Sequence, residues 1–201
     1  MKIAILCDTH CGIRNSSEVF LDNAEDFYTN IFFPECQKQG ITQILHLGDY
    51  YDHRKFVNFK ALNQNRRVFL DQLRKNNMMM DIIPGNHDTY YKNTNELNSL
   101  KECLGHYMNE IHIVMEPTVM QYGSLSMGLL PWICADNYDQ SMNFIRDCKA
   151  DWLGAHLELS NFEIGRGIMA HSGMDPKLFQ KFEQVLSGHY HTASRRDNIW
   201  Y

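Results

Sequence analysis

Five short apolar runs in this 201-residue chain each end on a cluster of metal-ligand side chains, and a chain patterned in this way has few folds open to it. The runs are Ile3 to Cys7 before Asp8-Thr9-His10, Ile44 to Leu47 before Gly48-Asp49, Asp81 to Pro84 before Gly85-Asn86-His87-Asp88, Trp152 to Ala155 before His156, and Val185 to Ser187 before Gly188-His189-Tyr190-His191. Segments of this length fit buried strands, and in α/β sheets ligands collect at the loops beyond the carboxyl ends of strands. The five clusters are therefore expected to converge on one site.

The donors are carboxylate and amide oxygens and imidazole nitrogens, with no cysteine pair. Such a set suits Mn, Fe or Zn better than Ca, and a structural zinc site would lean on thiolates. Asp8, His10, Asp49, Asp52, Asn86, His156, His189 and His191 are too many ligands for one ion. Two ions roughly 3.5 to 4 Å apart, sharing one carboxylate, are a common apparatus of phosphoester hydrolysis. The ligand count points to that arrangement.

Asp8-x-His10, Gly48-Asp49-x-x-Asp52, Gly85-Asn86-His87-Asp88, His156 and Gly188-His189-x-His191, in this order, resemble the calcineurin-like metallophosphoesterases. Further stretches resemble the SbcD-type DNA nucleases within that superfamily, above all the recombination endonuclease subunits of T4-type bacteriophages. These are Gly48 to Lys55, Tyr91-Lys92-Asn93, Leu130 to Cys134 and Gly154 to Leu159.

The resemblance implies an α/β fold, a four-layer α-β-β-α sandwich of two mixed sheets flanked by helices. It implies two divalent ions, expected to be Mn, one held by Asp8, His10, Asp49 and His191 and the other by Asp49, Asn86, His156 and His189. Asp49 would bridge them, and a hydroxide they activate would attack a DNA phosphodiester in line. His87 matches the family's non-ligand histidine, placed to protonate the leaving oxygen, with Asp88 orienting it. An ABC-type ATPase partner, a role in DNA recombination or repair, and a homodimer are implied too. The residues alone leave His171 as a rival to His156. His53 is one position out of register with a histidine that some relatives carry where this chain has Asp52.

Composition sets bounds. At 44% hydrophobic the chain can bury a core of normal size. No apolar run approaches the roughly 18 residues of a membrane span, and the start runs straight into Asp8, unlike a signal peptide. Six cysteines with no C-x-x-C pair fit a reducing cytoplasm, that of a bacterial host if the chain is phage-encoded. The formal net charge of −5 runs against a DNA-binding reading. Positive residues are uneven, however. Arg54, Lys55, Lys60, Arg66, Arg67, Arg74 and Lys75 fall in one stretch, and Arg195-Arg196 follow the last motif, so Arg54, Lys55, Arg195 and Arg196 are candidate DNA contacts beside a solvated-surface reading.

Periodicity predicts a helix through Phe20, Ala24, Phe27 and Ile31, kinked or restarted by Pro34 and stopped at Gly40. Further helices are expected over 56–75, 95–104 and 139–148. Phe56, Val57, Val68, Leu100 and Tyr107 exceed what one core-facing stripe needs, and they are the candidate dimer surface. The domain reads as 1–201, truncated after Tyr201, with the capping and ATPase-binding regions of the resembled nucleases lying beyond it. Two other functions stay open. A phosphatase or small-molecule phosphodiesterase of the same superfamily is disfavoured by G-N-H-D in place of G-N-H-E, and a non-catalytic scaffold by the full ligand set.

Overall fold

The strands form in the order β1 (Ala4–Leu6), β2 (Gln43–His46), β3 (Met79–Ile82), β4 (Ile111–Ile113), β5 (Thr118–Tyr122), β6 (Leu125–Leu130), β7 (Trp152–His156), β8 (Glu163–Gly165), β9 (Ile168–Met169), β10 (Gln184–Gly188), β11 (Arg195–Arg196) and β12 (Ile199–Trp200). In this computed structural model, which describes residues 1–201, β1 to β4 make a wholly parallel sheet in sequence order. A second, mixed sheet has the order β11-β12-β10-β7-β6-β5, while β8 and β9 form a separate hairpin.

Alternation along the strands explains the layers, because successive side chains point to opposite faces. Ile44, Met80 and Ile82 pack with Phe69, Leu73 and Leu100 of the outer helices. Leu45, Leu47 and Ile83 turn the other way and meet Met127 and Leu129 of the second sheet. Leu130, Leu153, Ala155 and Val185 cover that sheet's far face with Ile145 and Phe179. The result is the expected four-layer α-β-β-α sandwich. One polar group stands in the inter-sheet layer: Asp81 accepts hydrogen bonds from Tyr122 Oη at 2.8 Å and Gln43 Nε2 at 2.8 Å, and its Oδ1 lies 3.0 Å from His112 Nδ1.

The two long helices differ from expectation in one way. Each contains a π-helical turn, at Phe27–Phe32 and at Arg66–Leu70. The wider turns face each other through Tyr28, Phe32, Phe33 and Phe69, with the Tyr28 and Phe69 rings 4.8 Å apart. Pro34 does not break the first helix; it sits in the first turn after the π segment, and the helix runs on to Gly40, whose φ is 67°. The second begins at Phe59 rather than Phe56, because Asn58 Oδ1 caps it by accepting the Lys60 N–H at 2.8 Å. The third begins at Ser99 for the same reason, Asn98 Oδ1 accepting from Lys101 at 3.0 Å.

Strand register then aligns the functional loops. Leu6 pairs with His46 and His46 with Ile82, so the turns after β1, β2 and β3 leave one edge together. Gly188 pairs with His156 in the second sheet. No helix of the structure is long and apolar enough to cross a membrane.

Candidate metal centre

The turns after β1, β2 and β3 lock together by main-chain bonds. Asp8 N–H donates to Gly48 O at 3.0 Å and His10 N–H to Asp49 O at 3.0 Å. Four donor-bearing residues here adopt positive φ: Asp8 (50°), His10 (41°), Asp49 (54°) and His189 (98°). Such conformations cost about 1–3 kcal/mol each and persist where the surroundings over-determine them. Two glycines permit the close approach. Gly48 has φ 93°, and a Cβ there would stand 2.7 Å from Gly85 N and from His156 Nδ1. A Cβ on Gly85 would collide with the Asp49 carboxylate.

Three groups of donor atoms result, and two of them are made of expected ligands. Those of Asp8, His10 and His191 lie within 4.8 Å of one another, and so do those of Asp49, His156 and His189. Asn86 Oδ1 joins the second triad, 3.0 Å from His156 Nε2 and 2.8 Å from His189 Nδ1. Asp49 stands between the two, its Oδ2 3.4 Å from His156 Nε2 and 3.7 Å from His10 Nε2. His10 and His191 approach Nε2 to Nε2 at 3.1 Å. The structure thus brings together Asp8, His10, Asp49, Asn86, His156, His189 and His191.

The donors are also oriented. Leu47 O accepts the Nδ1–H of His156 at 2.8 Å, which directs its Nε2 lone pair into the cluster. Asp8 accepts the His189 N–H on both oxygens, at 3.0 and 3.1 Å, and Asp49 Oδ1 accepts the His87 N–H at 2.7 Å. Each carboxylate keeps capacity toward the centre. Buried oxygen and imidazole lone pairs converging on one space, two carboxylates among them, fit divalent cations.

Charge follows from the same contacts. Burial disfavours ionised Asp49, but His156 and the His87 N–H outweigh it and hold the carboxyl well below the usual range. Burial likewise opposes a proton on His156, yet Asp49 and Asp8 carry it up to about 9. Burial and the neighbouring His156 push His189 down to about 4. The cluster without a cation therefore retains a proton on His156, which a bound cation would displace.

Several expected residues have other places. Asp88 does not orient His87. It is fully buried and accepts from the N–H groups of Gly85 (2.9 Å), Tyr50 (3.0 Å) and Tyr51 (3.1 Å), clamping the loop after β3 to the loop after β2. Burial, with Asp49 close by, pushes its pKa up to about 7 against the Gly85 and Tyr51 N–H groups. The His87 ring is held instead by Asp52, whose carbonyl accepts the Nδ1–H at 2.6 Å. The Asp52 carboxylate lies 3.2 Å from His10 Nδ1, a nitrogen that nonetheless has no aligned hydrogen-bond partner, so the contact is an ion-pair distance off the bonding line. Asp52 backs His10 and His87, whose donor atoms lie with its own within 4.8 Å of one another, and it stands outside the two triads above.

His171 is exposed; it lines a pocket with His189 and His191 but joins neither triad, and His53 stacks on Phe56 with ring centroids 4.4 Å apart. Arg54 is engaged with Thr89, donating to its O at 3.3 Å and Oγ1 at 3.2 Å. Lys55 lies over the Tyr90 ring, and Arg195 over Trp200 with its guanidinium carbon 4.1 Å from the centroid. Arg196 is exposed. Val68, Leu100 and Tyr107 belong to the core, so they do not form an outer face; Phe56 and Phe59, 60% and 86% exposed, do.

The sequence reading also passed over Trp132. Its ring lies 5.3 Å from that of His189 and 5.8 Å from that of His156, and its main-chain N–H donates to Pro84 O at 2.9 Å. The motif Leu130-Pro131-Trp132 was its only signal.

A model of the calcineurin-like phosphoesterase family matches residues 1–193. Exonuclease subunit 1 of Enterobacteria phage T4 is 30% identical over 201 residues, an alignment covering 100% of this chain and 58% of that protein. The chain thus spans less than two thirds of that relative's length. Among solved structures, the nuclease MPE of Pseudomonas putida matches at 16% identity and TM-score 0.44, covering 98% of this chain and 66% of that one. A hypothetical protein from Thermus thermophilus matches at 12% identity and TM-score 0.48, covering 100% and 74%.

Proposed function

Because the chain belongs to the calcineurin-like phosphoesterases, a family of metal-dependent hydrolases, we propose that it is a metal-dependent DNA nuclease, the catalytic subunit of a recombination or repair complex with an ABC-type ATPase. The observation that carries this reading is the pair of donor triads with Asp49 between them. The T4 relative, named an exonuclease subunit, supports the choice of DNA over other phosphoesters.

Asp8, His10, Asp49 and His191 would hold one divalent ion and Asp49, Asn86, His156 and His189 the other, most suitably Mn. Bound ions would supply Lewis acidity toward the phosphate and an acidified water as nucleophile. Asn86 contributes an oxygen without a further negative charge, which keeps the site's potential positive. Since Asp52 O takes the Nδ1–H of His87, a protonated His87 presents Nε2–H outward, where it can give that proton to the departing oxygen. Arg195 and Arg196, both exposed beyond the last histidine motif, would meet the DNA backbone. A homodimer would use the exposed Phe56 and Phe59.

The test is hydrolysis with Mn present. Cleavage of bis-p-nitrophenyl phosphate and of single-stranded DNA, falling steeply with salt on DNA, is expected. Robust turnover of phosphomonoesters with none of diesters or DNA would hand the site to the phosphatase reading. Light scattering at tens of micromolar checks the dimer, and a monomeric mass would overturn it.

A further inference from the structure

A cavity of about 230 Å³ opens from the metal centre, with Asp8, His10 and His191 forming one side of it. Its walls are two helices, Glu18–Asp26 with its π continuation and the helix from Phe59. Ile13, Phe20, Leu21, Ala24, Tyr28 and Val68 make its apolar wall. An apolar hollow is out of place beside a site that handles phosphate, unless the substrate carries an apolar group attached to that phosphate.

Two polar groups single out the occupant. Gln64 and Asn65 line the cavity, and each spends its amide N–H groups on the protein. Gln64 Nε2 donates to Leu21 O and Glu25 Oε2, both at 2.9 Å, and Asn65 Nδ2 to Tyr50 Oη at 2.8 Å. Their side-chain oxygens accept no hydrogen bond from the chain. Two free acceptors among aromatic and aliphatic walls suit a flat ring with amino donors. Directly after the lining residues Gly12 and Ile13, Arg14, Asn15 and Ser16 have φ of 55°, 56° and 58°, three successive non-glycine residues in the left-handed region. Such a run is costly, and strain of this kind gathers at ligand clamps.

We infer that this cavity is a nucleobase subsite, receiving the unstacked base of the nucleotide whose phosphate lies at the metal centre, with Gln64 and Asn65 accepting from an exocyclic amine. The inference rests on the nuclease reading above. It makes the enzyme one that acts on unpaired nucleotides, since a base in a duplex cannot enter the cavity without leaving its stack. Adenine, cytosine and guanine, which carry exocyclic amino groups, should be favoured over thymine.

The experiment compares single-stranded oligodeoxynucleotides with the same phosphate backbone made from base-free tetrahydrofuran units. Wild-type protein with Mn should show a KM about ten-fold lower for the base-bearing strand, the scale that stacking of one base supplies. Ala24→Phe, which fills the cavity, should collapse that ratio toward one, and Gln64→Leu should erase the preference of adenine over thymine. Saturation-transfer NMR with deoxyadenosine monophosphate should show the base protons in contact in wild-type protein and lose them in Ala24→Phe. Equal KM values for the two backbones in the wild type, or a ratio that survives in a folded Ala24→Phe, would overturn the subsite. Cleavage of neither backbone by the wild type would instead overturn the nuclease reading, and the subsite with it.

Discussion

The two halves of the donor cluster differ in how much protein stands behind them. Around Asp49, Asn86 and His156 nearly every polar atom is spoken for: Leu47 O fixes one histidine, the His87 N–H fixes the aspartate, and Gly48 and Gly85 leave no room for even a methyl group. His156 itself is fully buried. Around Asp8 and His10 the arrangement is looser, and the His191 side chain is 58% exposed with its Nε2 3.5 Å from Asp8. One half is a preformed socket; the other is open on the side where a substrate would arrive. The lesson is that a shared ligand set need not be shared rigidity, and the open half is where the cavity also lies.

The largest effect should come from Asp49, the one carboxylate within reach of both halves. Asp49→Ala is expected to abolish retention of both ions, and elemental analysis of Mn-loaded protein should fall from near two ions per chain to near none. Two ions retained in that variant would remove Asp49 from its bridging place and with it the comparison between two linked halves. Next is His87, which serves neither triad. His87→Ala should keep both ions and lose about 100-fold or more in diester hydrolysis, as is usual when a general acid is removed. Loss of metal would make it a ligand instead.

The socket's rigidity is itself open to measurement. Asp88 satisfies three buried N–H groups, so Asp88→Ala should lower unfolding stability by a few kcal/mol, on the scale of about 1–3 for each donor left unsatisfied. Denaturant melts of the ion-free protein check this, and an unchanged midpoint would mean that the loops after β2 and β3 hold each other without the clamp.

Much of this architecture was legible in the chain because strand ends announce themselves. Apolar runs of three to five residues closing on Gly-Asp, Gly-Asn or Gly-His carry both the strand and the turn, and parallel pairing with matched register does the rest. The four layers came from the order of the elements and the family resemblance; which side of each strand is apolar explains how they pack. What stayed hidden depended on distance in sequence. Nothing near Asp88 shows that its carboxylate would turn away from His87 toward Tyr50 and Tyr51, and nothing near Asp52 shows that its carbonyl would take that histidine's proton. The same holds for Val68, Leu100 and Tyr107. Their helices read as having surplus apolar residues because periodicity assumes one buried stripe, whereas helix 59–75 packs against both the sheet and the helix 18–39, and its π turn swings an extra residue inward. Helix starts were misplaced by three or four residues because asparagine caps at Asn58 and Asn98 outweigh apolar spacing.

The smallest expected effect sharpens the comparison most. If the halves differ in preformation, truncating a ligand on each side should not cost the same. His156→Ala removes a histidine that touches Asp49, Asn86 and Leu47, so the ion on that side should be lost, and the socket should loosen with it. His191→Ala removes a mostly exposed side chain whose contacts are with Asp8 and His10, and the remaining donors of its half keep their places. That variant should still bind two ions, with the weaker one reduced about 10- to 100-fold in affinity, the usual penalty for disturbing a metal's surroundings. Titration calorimetry with Mn at fixed pH distinguishes the outcomes. One strong site and one weakened site are expected for His191→Ala, against a single site for His156→Ala; identical isotherms would mean that the burial difference between the two histidines has no counterpart in metal affinity.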